Sequence, residues 1–286
     1  MDAPNPSSAV TFANKTPLRI GAVGLKARDL SRLTDFYAQA IGLQVLDRDT
    51  KTAHLGAGGV KLIELEAAPN ALPNDPRSAG LYHTAFLQPT RGDLARWLVH
   101  VARHRVALSG ASDHLVSEAI YLDDPEGNGI EVYRDRLPNE WQWSGNRIKM
   151  ATDRLDLDNL AADAGNTSYQ GAPAGLRIGH IHLRVGDLAK TEQFYCGAIG
   201  LDPTSSRHGA LFMSSGHYHH HIGSNIWHSA GAGIRDDARA GLAWFAIEGA
   251  GEAEREGALD RLRRADIPVV GSETRDPFGT RVRFTS

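Results

Sequence analysis

The chain has 286 residues, with 31 basic against 34 acidic side chains for a formal net charge of -3. That length allows two domains with cores of their own. The near-neutral balance, without a basic run or an aromatic platform interleaved with arginine, speaks against a nucleic-acid or anionic-membrane surface. A single cysteine, Cys196, leaves no disulfide framework and no zinc–thiolate cluster, as expected of a cytoplasmic protein.

Residues 1–16 carry Asp2, two prolines and scattered polar side chains without an apolar run of signal-peptide length, and read as a disordered leader. No segment approaches transmembrane length. Arg19 to Ala27 reads as a strand. Leu30, Leu33, Phe36, Tyr37, Ala40 and Ile41 then recur at helical spacing, and Gly42 is placed to close that helix. Leu43–Leu46, Thr52–Leu55 and Val60–Leu65 follow as three short strands. This β-α-β-β-β unit starts again near Leu81, Arg177 and Leu242, with helices expected at Asp93–His104 in the second copy and Gly257–Ala265 in the fourth.

The repetition is visible residue by residue. Leu18-Arg-Ile-Gly21 returns as Leu176-Arg-Ile-Gly179, Asp29-Leu30 as Asp187-Leu188, Phe36-Tyr37 as Phe194-Tyr195 and Ile41-Gly42-Leu43 as Ile199-Gly200-Leu201, all 158 positions later. A constant offset over such a span marks a duplication. Asp124-Pro125-x-Gly127 likewise returns as Asp276-Pro277-x-Gly279. The division expected is therefore two two-module halves, 17–135 and 175–286. They are joined by a linker, 136–174, that holds Trp141, Trp143 and a short helical stretch, Leu155–Ala164, and is too long for a hairpin loop.

The chemistry concentrates in Tyr121-Leu-Asp-Asp-Pro-Glu-Gly-Asn-Gly-Ile-Glu131. Asp124 to Gly129 is dense in turn formers, and Ile130 to Tyr133 alternates like a strand. A carboxylate at a strand start just past a tight turn is held rigidly. His114 and Tyr121 lie just upstream, and both can donate or move protons. The chain also has 13 histidines, five of them between His217 and His228, and histidine is a common metal ligand. Cys196 and the Phe-Tyr pairs on the helices read as packing residues.

Four such modules resemble the vicinal oxygen chelate superfamily, over nearly all of residues 17–286. The implied fold is α+β, the modules pairing into two open eight-stranded cups. His114, Ile120-Tyr121, Asp124-Pro125, Gly127 and Glu131 resemble the extradiol ring-cleavage dioxygenase signature; Ser112 departs from it at one position. Trp141, Met150-Ala-Thr152 and Tyr218-His-His-His-Ile-Gly223 resemble more narrowly the Bacillus-type catechol 2,3-dioxygenases. The resemblance places metal ligands on the first and last strands of two paired modules. Those positions carry His83, Glu131 and His180, whereas three of the others hold Ala22, Trp244 and Arg283.

Two imidazoles and one carboxylate are the set of non-heme Fe(II) oxygenases, and Mn(II) fits too. Using ligands from modules two and three implies pairing 2-3 and 1-4, against the sequential pairing 1-2 and 3-4; the long linker permits either. The implied activity is extradiol cleavage of a small aromatic diol by O2, with His114 as acid/base and Tyr121 hydrogen-bonding the substrate or an intermediate. In strand geometry His182 shares a face with His180, and His219 with His221, while a rough alignment puts His220 level with Glu131. One or more of His182, His219, His220 and His221 is expected to orient substrate or pass protons. A glyoxalase-like isomerase or lyase, and a metal-free small-molecule binder, are the other activities this fold supports. The sequence leaves the oligomeric state open, a homo-oligomer included.

Overall fold

The structure, a computed structural model, describes residues 11–286. The first module runs β1 (Leu18–Ala27), α1 (Leu30–Phe36), β2 (Gln44–Arg48), β3 (Thr52–Ala57) and β4 (Val60–Ala67). Asp29 caps α1 by accepting from Arg32 N at 3.0 Å. The helix widens into a π turn over Tyr37–Ile41 and stops at Gly42, which takes the left-handed conformation at φ 80°. The second module is β5 (Gly80–Leu87), α2 (Arg91–Arg103), β6 (Gly110–Asp113), β7 (Ser117–Asp123) and β8 (Gly129–Asp135). The linker contributes β9 (Trp143–Ser144), β10 (Arg147–Ile148), β11 (Asp153–Arg154) and α3 (Leu157–Ala162).

The third module repeats the first: β12 (Arg177–Arg184), α4 (Leu188–Glu192), β13 (Asp202–Arg207), β14 (Ala210–Ser214) and β15 (Ile222–Asn225). Its helix too ends in a π segment, Gln193–Ile199, with Gly200 at φ 94°. The fourth is β16 (Gly241–Gly249), α5 (Glu252–Arg264), β17 (Glu273–Arg275) and β18 (Arg281–Thr285). Helix α5 begins five residues before the expected Gly257, because Glu252 to Glu256 carry charge and no apolar period; only Ala258, Leu259 and Leu262 are buried along it.

The strand order decides the pairing that the sequence left open. One large sheet runs β17-β18-β16-β1-β4-β3-β2 and the other β11-β6-β7-β8-β5-β12-β15-β14-β13, while β9 and β10 pair only with each other. Modules one and four thus share a sheet, as do modules two and three, through antiparallel seams β1–β16 and β12–β5. The sheets have seven and nine strands rather than eight each. In the fourth module the single bridge Val270–Glu273 stands where another strand would run. In the other sheet the linker adds β11 along β6.

A continuous apolar core from Leu18 to Phe284 joins the sheets and the helices. Of the expected leader, residues 1–10 lie outside the described residues. Phe12–Lys15 form a 3-10 turn, and Phe12 stands edge-on to Trp141 at 5.6 Å. Among the described residues no helix is long and apolar enough to cross a membrane.

Candidate metal centre

Three neighbouring strands bring the expected ligands to one point. In the β5–β8 register Glu131 stands beside Ala85, and in the β12–β5 register Ala85 stands beside His180. His83 lies two residues before Ala85, on the same face of β5. A methyl group is all that occupies the sheet between carboxylate and imidazole, so both lean over it. Glu131 Oε2 lies 3.0 Å from His83 Nε2 and 3.2 Å from His180 Nε2, and the two nitrogens are 3.4 Å apart. Donors on mutually cis positions of one divalent ion, each about 2.1 Å from it, are about 3 Å from one another. The group therefore fits a single metal ion on one triangular face, and it is the only His/Cys/Asp/Glu group of this kind among the described residues.

The electrostatics suit a cation. Burial pushes the Glu131 carboxyl up, but His180 and His83 more than offset this and hold it well below the usual carboxylate range. Burial lowers His180 to about 4 despite the adjacent Glu131. Burial, then the charge of His83, lowers His182 well below the usual imidazole range; burial and His180 do the same to His220. A carboxylate buried beside imidazoles costs free energy unless a cation neutralises it. His180 Nδ1 is buried without a partner among the described residues.

His114 and Tyr121 meet beside these ligands. Tyr121 is the cross-strand partner of Glu131, and its phenol lies 2.6 Å from His114 Nε2. Burial, with the Glu131 charge behind it, pushes the phenol well above its ordinary value, so it stays a donor. The turn that aims Glu131 is built by Asp124. Its Oδ1 accepts from Glu126 N and Asn128 N at 2.8 and 3.0 Å, and its Oδ2 from Asn128 Nδ2 at 2.7 Å and Tyr37 Oη at 3.1 Å. The acidic residue of the signature is thus a clasp on the turn, and Tyr37 of the first module closes it.

The histidine cluster divides. His219, His220 and His221 lie in the loop between β14 and β15, so the strand alternation expected for His219 and His221 does not apply. His220 lines the cavity above the ligands, its ring 4.1 Å from that of His180. His219 turns away to Asp135 Oδ1 at 2.7 Å, and His221 to Thr16 Oγ1 at 3.1 Å. His182 also reaches the cavity, with Asn225 Nδ2 at 3.0 Å from its Nε2. The cavity measures about 680 Å³. Tyr82, Phe212 and Trp227 wall it, and Arg207, His208 and Met150 join them. Of these the sequence had singled out only Met150. No spacing rule distinguishes a cavity aromatic from a core one, and Tyr82 sits on the strand residue beside His83.

Comparison with known proteins adds the following. The family described as Glyoxalase/Bleomycin resistance protein/Dioxygenase superfamily matches residues 19–132 and 177–285. The chain is 39% identical over 260 residues to Catechol-2,3-dioxygenase of Bacillus subtilis (strain 168), covering 89% of this chain and 90% of that protein. Over 76 residues it is 34% identical to Biphenyl-2,3-diol 1,2-dioxygenase 2 of Rhodococcus globerulus, covering 26% of this chain and 40% of that protein. Among solved structures, glyoxalase I from Zea mays superposes with a TM-score of 0.55 at 15% identity, over 96% of this chain and 94% of that one. That likeness speaks for the fold alone.

Proposed function

Because the chain belongs to the Glyoxalase/Bleomycin resistance protein/Dioxygenase superfamily, we propose that it is an extradiol dioxygenase. It inserts O2 into a catechol-type diol at non-heme Fe(II), with His83, Glu131 and His180 as the protein ligands. One observation carries the reading: three buried donor atoms, two nitrogens and one oxygen, lie mutually 3.0 to 3.4 Å apart. The similarity to a protein named Catechol-2,3-dioxygenase supports the diol and the reaction class. In the same reading, 17–135 and 175–286 are two fused two-module units that exchange modules.

Fe(II) bound there would supply positive charge and a redox-active template for the two diol oxygens and O2. The residues around it have separate tasks. Glu131 leaves one net positive charge on such a centre, which favours the diol as an anion. Tyr121, still protonated, hydrogen-bonds a substrate hydroxyl through its own oxygen, and His114 behind it takes or returns a proton. His182 and His220, kept uncharged by burial, line the cavity as hydrogen-bonding groups without opposing the cation. Tyr82, Phe212 and Trp227 give the ring flat apolar faces to lie against.

The test is anaerobic reconstitution with Fe(II), followed by oxygen uptake and product spectra with a panel of catechols. Ring-opened product with stoichiometric O2 consumption is expected. Bound metal without O2 consumption, together with isomerase activity on thiohemiacetals, would instead assign a glyoxalase-type reaction. Failure to bind a divalent ion would reduce the cavity to a binding site.

A further inference from the structure

We infer that the linker is a working part of the catalytic site: the backbone carbonyl of Ala151, held by Arg207 of the third module, fixes the tautomer of His114 and so the direction in which a proton leaves the substrate. This deepens the reading of His114 as the base and rests on it. His114 Nδ1 lies 2.7 Å from Ala151 O. A carbonyl can only accept, so Nδ1 carries the hydrogen of the neutral ring. Nε2 is then bare and accepts the Tyr121 hydroxyl at 2.6 Å. Without the linker carbonyl the ring would be free to hold its hydrogen on Nε2, where it would face the phenol with a donor and block transfer.

The carbonyl is fixed from three sides. Ala151 N donates to His114 O at 3.2 Å. The next residues, Asp153 and Arg154, add β11 to β6, pairing with Asp113 and Ser112. Arg207, at the end of β13, donates from Nη2 to Ala151 O at 3.1 Å and to Thr152 Oγ1 at 3.3 Å, and from Nη1 to Met150 O at 2.7 Å. Among the described residues it has no carboxylate partner. Its guanidinium is thus committed to the linker and the cavity wall it lines. Ala151 O therefore receives one donor from each side, the His114 ring and Arg207, which uses both of its lone pairs. In the step this sets up, the O–H bond of a diol hydroxyl breaks toward Tyr121 Oη while the Tyr121 O–H bond breaks toward His114 Nε2. The diol leaves as a monoanion, the phenol is regenerated, and His114 ends doubly protonated with its Nδ1–H still on Ala151 O. Arg207 and Ala151 are positioning residues in this scheme, since neither exchanges the proton.

The experiment uses the full chain with 15N-labelled histidine, loaded with diamagnetic Zn(II) for spectra and with Fe(II) for kinetics. The His114 ring signals are identified by their loss in His114→Asn. The wild type is expected to show a single Nδ1–H tautomer at His114. Arg207→Met should give a mixture of tautomers and lower kcat about tenfold or more while KM stays within about twofold; Arg207→Lys, which keeps a cation that can reach the same carbonyls, should recover most of the loss. A His114 ring protonated at Nε2 in the wild type overturns the inference. So does an Arg207→Met chain that keeps the single tautomer, whatever its activity. Should His114→Asn turn over at the wild-type rate, the base reading falls separately, and the tautomer spectra still judge the linker contact.

Discussion

Ala85 is the residue on which the proposed three-ligand arrangement turns. It lies in the row Glu131–Ala85–His180 across three strands and is fully buried, so its side chain sets how closely carboxylate and imidazole approach. Replacing it by leucine inserts three carbons into the floor of the site. We expect Ala85→Leu to fold at a cost of about 1–3 kcal/mol and to lose stoichiometric Fe(II); retention of a full equivalent of iron by metal analysis would show that the floor does not set the ligand spacing. Glu131→Ala removes the only anionic member of the proposed ligand set and should abolish both metal binding and turnover, whereas Tyr121→Phe should keep the metal and slow turnover by about 10²-fold or more. An unchanged rate in Tyr121→Phe would demote the phenol to packing. At this scale the sequence was informative where a residue had a backbone frame: His83, Glu131 and His180 sit on strands that the repeat marks out, although which modules pair to bring them together was left to the structure. It was uninformative for His219, His220 and His221, because a loop has no period and only tertiary packing sends His220 to the cavity and its neighbours elsewhere.

The turn after β7 and its copy in the fourth module are built alike. Tyr37 donates to Asp124 Oδ2 at 3.1 Å, and Tyr195 to Asp276 Oδ2 at 3.0 Å. All four side chains are buried, and burial pushes both phenols well above their ordinary value. Each bond ties the helix of one module to the closing turn of the next in sequence, modules one to two and three to four, while the sheets join two to three and one to four. The Phe-Tyr and Asp-Pro repeats were plain in the sequence, yet nothing in it paired them, since the contact spans 87 residues. Tyr37→Phe leaves a buried carboxylate one donor short and should destabilise the chain by about 1–3 kcal/mol, read as a lower urea midpoint. Tyr195→Phe should cost a similar amount but leave Fe(II) affinity unchanged, because its turn carries no ligand. Loss of iron binding in Tyr195→Phe alone would contradict the separation of the two cups. Helix boundaries were harder to foresee than these repeats. The π turn at Tyr37–Ile41 looks helical in apolar period, and the charged start of α5 has almost none.

Taken whole, the molecule makes two cups from one repeated unit, and the candidate metal centre lies in one of them. In the sheet of modules one and four, Trp244 fills the space: its Nε1 donates to Glu66 Oε1 at 2.9 Å, and the Arg283 guanidinium lies 3.9 Å over the indole. Gly24 permits this, since a Cβ there would meet the indole nitrogen at 2.2 Å. The linker between modules two and three is anchored by a charge cluster to the sheet that carries the candidate metal centre. Arg91, in the first turn of α2, donates to Glu118 at 2.8 and 3.2 Å and to Asn159 Oδ1 at 2.8 Å, and it pairs with Asp163 at 2.5 Å. Arg134 donates to the same Glu118 at 2.6 Å. Burial pushes the Glu118 carboxyl up, but the hydrogen bonds from Arg91 and Arg134 more than offset this and hold it below the usual range. A carboxyl whose folded pKa is depressed binds fewer protons folded than unfolded. Its contribution is therefore complete above the unfolded value of about 4.3 and disappears as pH falls through the lower folded value. The wild type should accordingly lose stability as pH drops below about 4.3. Glu118→Gln should be less stable than wild type at pH 7 and show a shallower decline on the acid side, measured as urea midpoints across the range. An acid-side slope identical in the two proteins would remove Glu118 from the anchoring of the linker and leave that task to Arg91 with Asn159 and Asp163.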